Sequence, residues 1–138
     1  MTLKFITGIF LLLLGTETGA QKTDSLMFIS LSASDFGLKY KDNDKALLID
    51  VREFFEFRKS RLKNAINIPS TSNLEFASDT INRENSLFVY CTSGYRSKRV
   101  ATFFGKQGFS KVYSLEGGIA GWKKAGNSIE KKRIRRGE

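Results

Sequence analysis

Apolar and polar positions along this chain fall into short blocks that read alternately as strand and helix. Ser25 to Ser30 is a short candidate strand, and Ser32 or Ser34 can cap a helix running to about Tyr40, with Asp35 near its N-terminus. Lys41-Asp42-Asn43-Asp44 is a turn. Ala46-Leu47-Leu48-Ile49 is apolar at every position, the pattern of a strand covered on both faces in a parallel sheet, and it stops at Asp50. A short helix follows from Arg52 to about Lys59, with Phe54, Phe55 and Phe57 as its apolar surface. Ala65 to Ile68 is another short strand, and Pro69 marks an edge or a break.

Asn73 caps a helix over about Leu74 to Ile81, and Leu87 to Tyr90 is the central strand. From Ser97, Val100, Ala101, Phe103 and Phe104 share one helical face, and the segment ends near Gln107, with Gly108 as its stop. Gly105 weakens the last turn, since glycine costs about 1 kcal/mol relative to alanine inside a helix. Lys111 to Leu115 is the final strand, followed by Glu116-Gly117-Gly118 and a short helix containing Trp122. Strands alternating with helices at this spacing predict an α/β fold. Its centre is a mostly parallel sheet of about five strands, with helices on both faces.

Residues 1–20 stand apart from this alternation. Lys4 precedes a mostly apolar run from Phe5 to Leu14, and the segment closes on Thr18-Gly19-Ala20, the layout of a secretory signal peptide cleaved after Ala20. About ten apolar residues are too few to span a bilayer comfortably, so no stable membrane span is expected after cleavage. The reading is therefore an exported protein, periplasmic or secreted. It has one domain over 21–130 and a basic tail over 131–138. An uncleaved N-terminal anchor is the alternative.

Charge and cysteine usage narrow the chemistry. The net charge is +9, part of it concentrated in Lys131, Lys132, Arg133, Arg135 and Arg136. A tail of this kind can touch an anionic surface, but it carries no aromatic interleaving or nucleic-acid motif. It reads as a solvated terminus, with no nucleic-acid partner expected. The rest of the positive balance favours small anionic substrates. With one cysteine and no histidine, the chain can form no intrachain disulfide, no Cys–His pair and no zinc site. No metal and no cofactor are expected.

The single cysteine, Cys91, sits where the central strand gives way to the next helix, in Cys91-Thr92-Ser93-Gly94-Tyr95-Arg96-Ser97. A sulfur there faces backbone N–H groups that have no intrahelical partner and carry the positive end of the helix dipole, so the site favours an anion. A free thiol has a pKa of about 8.5, and a helix N-terminus with a nearby cation commonly lowers it. Thr92 and Ser93 are small, Gly94 permits a positive φ, and Arg96 supplies a fixed charge with a fork of donors. The other reading of a lone cysteine at the end of a core strand is inert packing. Asp50 falls at a strand end on the same rim, as a helix cap or as a site residue. Arg52 is either a satisfied rim charge or a tie between Asp50 and the Cys91 loop.

Taken together, these segments resemble the rhodanese-like domain family. Leu48-Ile49-Asp50-Val51-Arg52-Glu53, Glu56-Phe57 and Asn64-Ala65-Ile66-Asn67-Ile68-Pro69 are similar to its first half. Val89 to Ser97, Gly108-Phe109, Val112-Tyr113-Ser114-Leu115-Glu116-Gly117-Gly118 and Trp122 resemble its active-site and closing motifs. The resemblance runs from about Leu26 to Gly126. It implies a single-domain sulfurtransferase in which Cys91 accepts a sulfane sulfur from thiosulfate or a similar donor and carries it as a persulfide. The active-site loop would comprise Thr92, Ser93, Gly94, Tyr95 and Arg96, with Ser97 closing it and Asp50 and Arg52 in support. The acceptor would be an external thiol, cyanide or a sulfur-relay protein, because no resolving cysteine exists in the chain.

One segment departs from the family pattern: Ser60-Arg61-Leu62-Lys63-Asn64-Ala65 stands where Gly-His-Ile-Pro-Gly-Ala is common. Asn64 can adopt the left-handed conformation a glycine would offer, and Arg61 puts a long cation in place of an aromatic ring. Two rival functions share this architecture. One is a phosphatase or arsenate reductase, disfavoured because four residues, rather than five, separate Cys91 from Arg96. The other is a non-catalytic persulfide carrier fed by a partner protein.

Overall fold

The computed structural model describes residues 27–132, so the expected signal peptide and the tail from residue 133 onward lie outside the described residues. The chain begins with β1 (Ile29–Leu31), α1 (Ala33–Lys41), β2 (Ala46–Asp50), α2 (Phe54–Lys59), β3 (Ser60–Arg61) and β4 (Ile66–Asn67). It continues with α3 (Leu74–Thr80), β5 (Ser86–Tyr90), α4 (Tyr95–Lys106), β6 (Val112–Leu115), α5 (Gly118–Lys124) and β7 (Glu130–Lys131). Five strands form one sheet in the order β1-β6-β5-β2-β4, with every pairing parallel. The central mostly parallel sheet read from the sequence is therefore present. A separate antiparallel ribbon pairs β3 with β7, which brings Lys131 into a strand where a free tail was expected to start.

The sheet is central because β5 has no polar face to give to water. All five residues from Ser86 to Tyr90 are buried, and alternate side chains enter different cores. Leu87 and Val89 join Ile49, Val100, Ala101, Phe104 and Phe109 on the face covered by α4. Phe88 and Tyr90 join Phe36, Leu48, Leu62 and Ile119 on the face covered by α1 and α5. There Phe36 meets Phe88 edge-on at 5.3 Å between ring centroids, a geometry that adds about 0.5–1.5 kcal/mol beyond simple burial.

Local signals set the helix starts. The Asp35 amide donates to Ser32 Oγ at 3.2 Å, and the Phe76 amide donates to Asn73 Oδ1 at 3.0 Å, so both expected caps are present. Gly105 lies inside α4 without breaking it, and a side chain there would collide with the backbone of Met27, so glycine is required by a close approach. Asn64 takes φ 67°, the left-handed conformation anticipated for it.

Three sequence readings need correction here. Asp50 does not cap the next helix, because α2 starts at Phe54 with Glu53 as its cap, where Glu53 and Glu56 form a reciprocal capping box. Instead Asp50 is fully buried and paired with Arg52, whose Nη2 lies 2.7 Å from Asp50 Oδ2. Arg52 does not bond to the Cys91 loop: its Nη2 also donates to the Ser60 carbonyl, and its guanidinium lies over the Tyr90 ring. Finally, Phe54 and Phe55 are 59% and 68% exposed, so of the three expected aromatics only Phe57 is partly buried, and the short α2 is tied down by its capping box and the Glu56–Arg96 ion pair.

Removing one partner of a buried pair strands the other charge in a poorly solvating interior. Arg52→Ala should therefore lower unfolding free energy by about 3–5 kcal/mol in urea denaturation. A loss near zero would mean that Asp50 finds another partner or water.

Candidate active site

The end of β5 and the start of α4 build the site. Cys91 directly follows Tyr90, and Gly94, at φ 103°, caps α4, so the chain reverses within three residues and wraps its amides around the sulfur. Cys91 Sγ accepts from the Gly94 N–H at 3.1 Å and from the Ser97 N–H at 3.4 Å, and it lies 3.6 Å from Ser97 Oγ. Behind it, Ser97 Oγ meets Ser114 Oγ at 3.0 Å, forming a buried hydroxyl pair that ties α4 to β6. Burial opposes ionisation of the thiol. The bonds from the Ser97 amide and hydroxyl and from the Gly94 and Ser93 amides outweigh it, so the thiol is held below its ordinary pKa.

A loop whose N–H groups point inward must send its carbonyls elsewhere, and α5 receives them. The Ile119 amide donates to the Cys91 carbonyl at 2.8 Å, and the Ala120 amide donates to the Thr92 carbonyl at 3.1 Å. Two otherwise unpaired donors at the start of α5 thus fix the peptide planes of the loop. Gly118 makes this possible: it sits at φ 57°, and a Cβ there would collide with the backbone of Cys91 and Thr92.

The fork of donors on Arg96 is engaged within the protein. Its guanidinium forms a two-pronged pair with Glu56, Nη1 to Oε2 at 2.8 Å and Nη2 to Oε1 at 3.1 Å. Thr92 completes the ring, accepting from Arg96 Nη2 and donating to Glu56 Oε1, each at 3.1 Å. The Arg96 contact, opposed by partial burial, holds the Glu56 carboxyl down at about 2. The pair therefore stays charged throughout the neutral range.

The expected site residues divide into two groups. Cys91, Thr92, Ser93, Gly94, Tyr95, Arg96 and Ser97 form one continuous bowl, with Thr92, Ser93 and Tyr95 exposed at its lip and Cys91, Gly94 and Ser97 buried at its floor. Asp50 and Arg52 are at the same end of the sheet but take no part in the bowl, because Asp50 shares the parity of Leu48 while Cys91 shares that of Val89. Arg61 also lies apart, stacked 4.8 Å from the Phe57 ring centre and 3.5 Å from Glu130, where it helps join β3 to β7. Sequence reasoning missed Glu56 and Ser114. A glutamate three residues into a helix after Glu53 is a capping-box signal, and a lone serine inside an apolar strand is one for a buried hydroxyl. A cavity of about 490 Å³ lies elsewhere, against Phe36, Leu48, Leu62 and Trp122.

A parallel sheet with a cysteine loop at the carboxyl end of its central strand defines a class, and comparison with known proteins identifies it. The Rhodanese-like domain family model matches residues 34–125, and the chain belongs to that family of sulfurtransferases. A thiosulfate sulfurtransferase, GlpE, from Actinobacillus succinogenes is 37% identical over 87 residues, covering 63% of this chain and 78% of the relative. A putative sulfur carrier protein, YrkF, from Bacillus subtilis is 31% identical over 108 residues, covering 78% of this chain but 57% of that protein. Among solved structures, a rhodanese-related protein from Thermoplasma volcanium is 30% identical with a TM-score of 0.66, over 75% of this chain and 98% of that one.

Two measurements probe this geometry. Alkylation of Cys91 by iodoacetamide should show a midpoint below the ordinary thiol value of about 8.5, and Ser97→Ala should move it upward by removing the hydroxyl whose contact with the sulfur favours the thiolate. A midpoint unchanged by that substitution would mean that the hydroxyl does not serve the sulfur. Gly118→Ala forces a positive φ and a backbone collision, so it should cost at least about 2 kcal/mol of stability and raise the thiol midpoint as the loop shifts.

Proposed function

We propose that this protein is a single-domain sulfurtransferase that moves a sulfane sulfur from thiosulfate or a similar donor to a thiol or cyanide through a persulfide on Cys91. The observation that carries the reading is the Cys91 sulfur held at the floor of a short loop by the Gly94 and Ser97 amides. These donors stabilise a thiolate, which attacks the outer sulfur of thiosulfate. A sulfur–sulfur bond forms at Cys91, the donor's own sulfur–sulfur bond breaks, and sulfite leaves with the electron pair. The outer sulfur of the resulting persulfide is next attacked by the acceptor, and the Cys91 thiolate is the leaving group. The inward-facing amides serve as the electrostatic support for the anion at both stages. Ser97 and Ser114 position that support from below.

In this reading Thr92, Ser93 and Tyr95 form the lip over which donor and acceptor arrive. Asp50 and Arg52 act only through the stability of the sheet end. Since Cys91 is the only cysteine, the acceptor comes from outside the chain. A second reading, a persulfide carrier charged by a partner protein, is favoured by the similarity to the putative sulfur carrier from Bacillus subtilis. Four residues between Cys91 and Arg96 also make a smaller cradle than a phosphatase loop with five, which argues for a single sulfur atom as cargo. The export reading rests on residues 1–20 and stands as part of the same proposal. Among the described residues, no helix is long and apolar enough to cross a membrane.

Protein incubated with thiosulfate should gain the mass of one sulfur atom, read by intact mass spectrometry, and a Cys91→Ala variant should gain nothing. If the unsubstituted protein gains no mass from thiosulfate but is charged by a persulfide-bearing partner protein, the carrier reading replaces the enzyme. For export, N-terminal sequencing from the native host should begin at Gln21; a start at Met1 removes cleavage from the account.

A further inference from the structure

The anion-binding groups at the mouth of the loop are not all available to an anion. Arg96 is the loop's own cation, yet both of its terminal nitrogens are engaged by Glu56 in a fork-to-fork pair. The carboxylate is locked in place from its other sides too: the Glu53 amide donates to Oε2 at 3.0 Å and Thr92 Oγ1 donates to Oε1 at 3.1 Å. Glu56 belongs to α2, a different element from the loop, so this contact comes from the fold and not from the loop sequence alone.

We infer that Glu56 sets the charge preference of the Cys91 site. Its carboxylate cancels the Arg96 charge at the lip, so a dianionic donor such as thiosulfate meets a neutralised entrance and gains only the floor amides. A donor that brings at most one negative charge, an alkyl persulfide whose outer sulfur passes to the Cys91 thiolate as its own sulfur–sulfur bond breaks and the alkyl thiolate leaves, loses less at the same entrance. The inference deepens the sulfur-transfer reading and rests on it for the identity of the cargo. The electrostatic effect itself belongs to the lip and is measurable without any sulfur donor. Glu56 acts here as a positioning and specificity residue through Arg96, and touches no reacting atom.

The test uses two reagents that alkylate the same thiolate and displace the same iodide, iodoacetate, which is anionic, and iodoacetamide, which is neutral. Their rate ratio on the full chain cancels the reactivity of the sulfur and reports the charge that an approaching group meets. At low salt, Glu56→Gln should raise the ratio of anionic to neutral rate by about 3- to 10-fold, the effect of removing one partly screened charge close to the path of approach. Glu56→Asp disturbs the same contacts but keeps the charge, so its ratio should remain near that of the unsubstituted protein. The rise in the glutamine variant should shrink as salt is added. A rise smaller than about threefold at low salt, or an equal rise in the aspartate variant, overturns the inference. Where thiosulfate charges the protein, Glu56→Gln should favour thiosulfate over an alkyl persulfide in the same direction. A protein that takes no sulfur from either donor overturns the transfer reading, while the alkylation ratio still decides the role of Glu56.

Discussion

The site depends on one constraint: the backbone between Cys91 and Ser97 must turn its N–H groups toward a single sulfur atom. Peptide units carry a donor and an acceptor on opposite sides, so amides can converge on the sulfur only if the matching carbonyls find donors outside the loop. The start of α5 supplies them through Ile119 and Ala120. This makes a helix far along the chain part of the loop's architecture. It also accounts for Gly118, where any side chain would occupy the space taken by the backbone of Cys91 and Thr92.

Charge is handled differently at the two ends of this arrangement. Below the rim, Asp50 and Arg52 are buried against each other and against the Ser60 carbonyl, and Asn67 bonds to the carbonyls of both Asp50 and Arg52. That cluster fixes where β2 ends and how β4 lies beside it. At the rim, Glu56 and Arg96 form a partly exposed pair that fastens α2 to the loop. A pair so placed contributes modestly to stability, on the order of 1 kcal/mol, so its larger consequence is electrostatic. What is left to attract an anion at the sulfur is the set of backbone amides, which need no charged residue to hold them.

The sheet was legible in the sequence because its central strands carry unbroken apolar runs, Ala46 to Ile49 and Leu87 to Tyr90, and such runs can be satisfied only between two covered faces. The Ser32 and Asn73 caps were legible for a similarly local reason, since their side chains bond amides three residues away. Cys91 and its loop could be picked out from residue type and spacing alone. The start of α2 could not, because Arg52 is drawn into a buried pair with Asp50, a tertiary contact that overrides the local pattern, while the end of the helix at Lys59 falls where expected. The partnership of Arg96 with Glu56 was hidden for the same reason. Forty residues separate the two along the chain, and only the parallel crossover from β2 to β5 brings them together. Gly105 shows the converse: its cost to a helix was visible, while its cause, the backbone of Met27 lying against α4, was not.

The burial of Cys91 and the depression of its thiol pKa look contradictory until the partners are separated by kind. Desolvation alone raises a thiol's pKa, and a cysteine at the end of a core strand would ordinarily be inert. Here the sulfur exchanges water for loop amides that cannot rotate away, beside a Ser97 hydroxyl held in place by the Gly94 carbonyl and Ser114. Such donors need little reorganisation when charge appears, and in a poorly screened setting each is stronger than it would be in water. The same feature bears on a persulfide: adding one sulfur moves the negative charge outward by a bond length, toward the lip formed by Thr92, Ser93 and Tyr95. Under the proposed sulfur transfer, the floor amides would still support the anion while the lip left its outer sulfur open to an acceptor. A rigid floor beneath an exposed lip therefore accords with the proposed transfer of a single atom better than with the gripping of a large oxyanion.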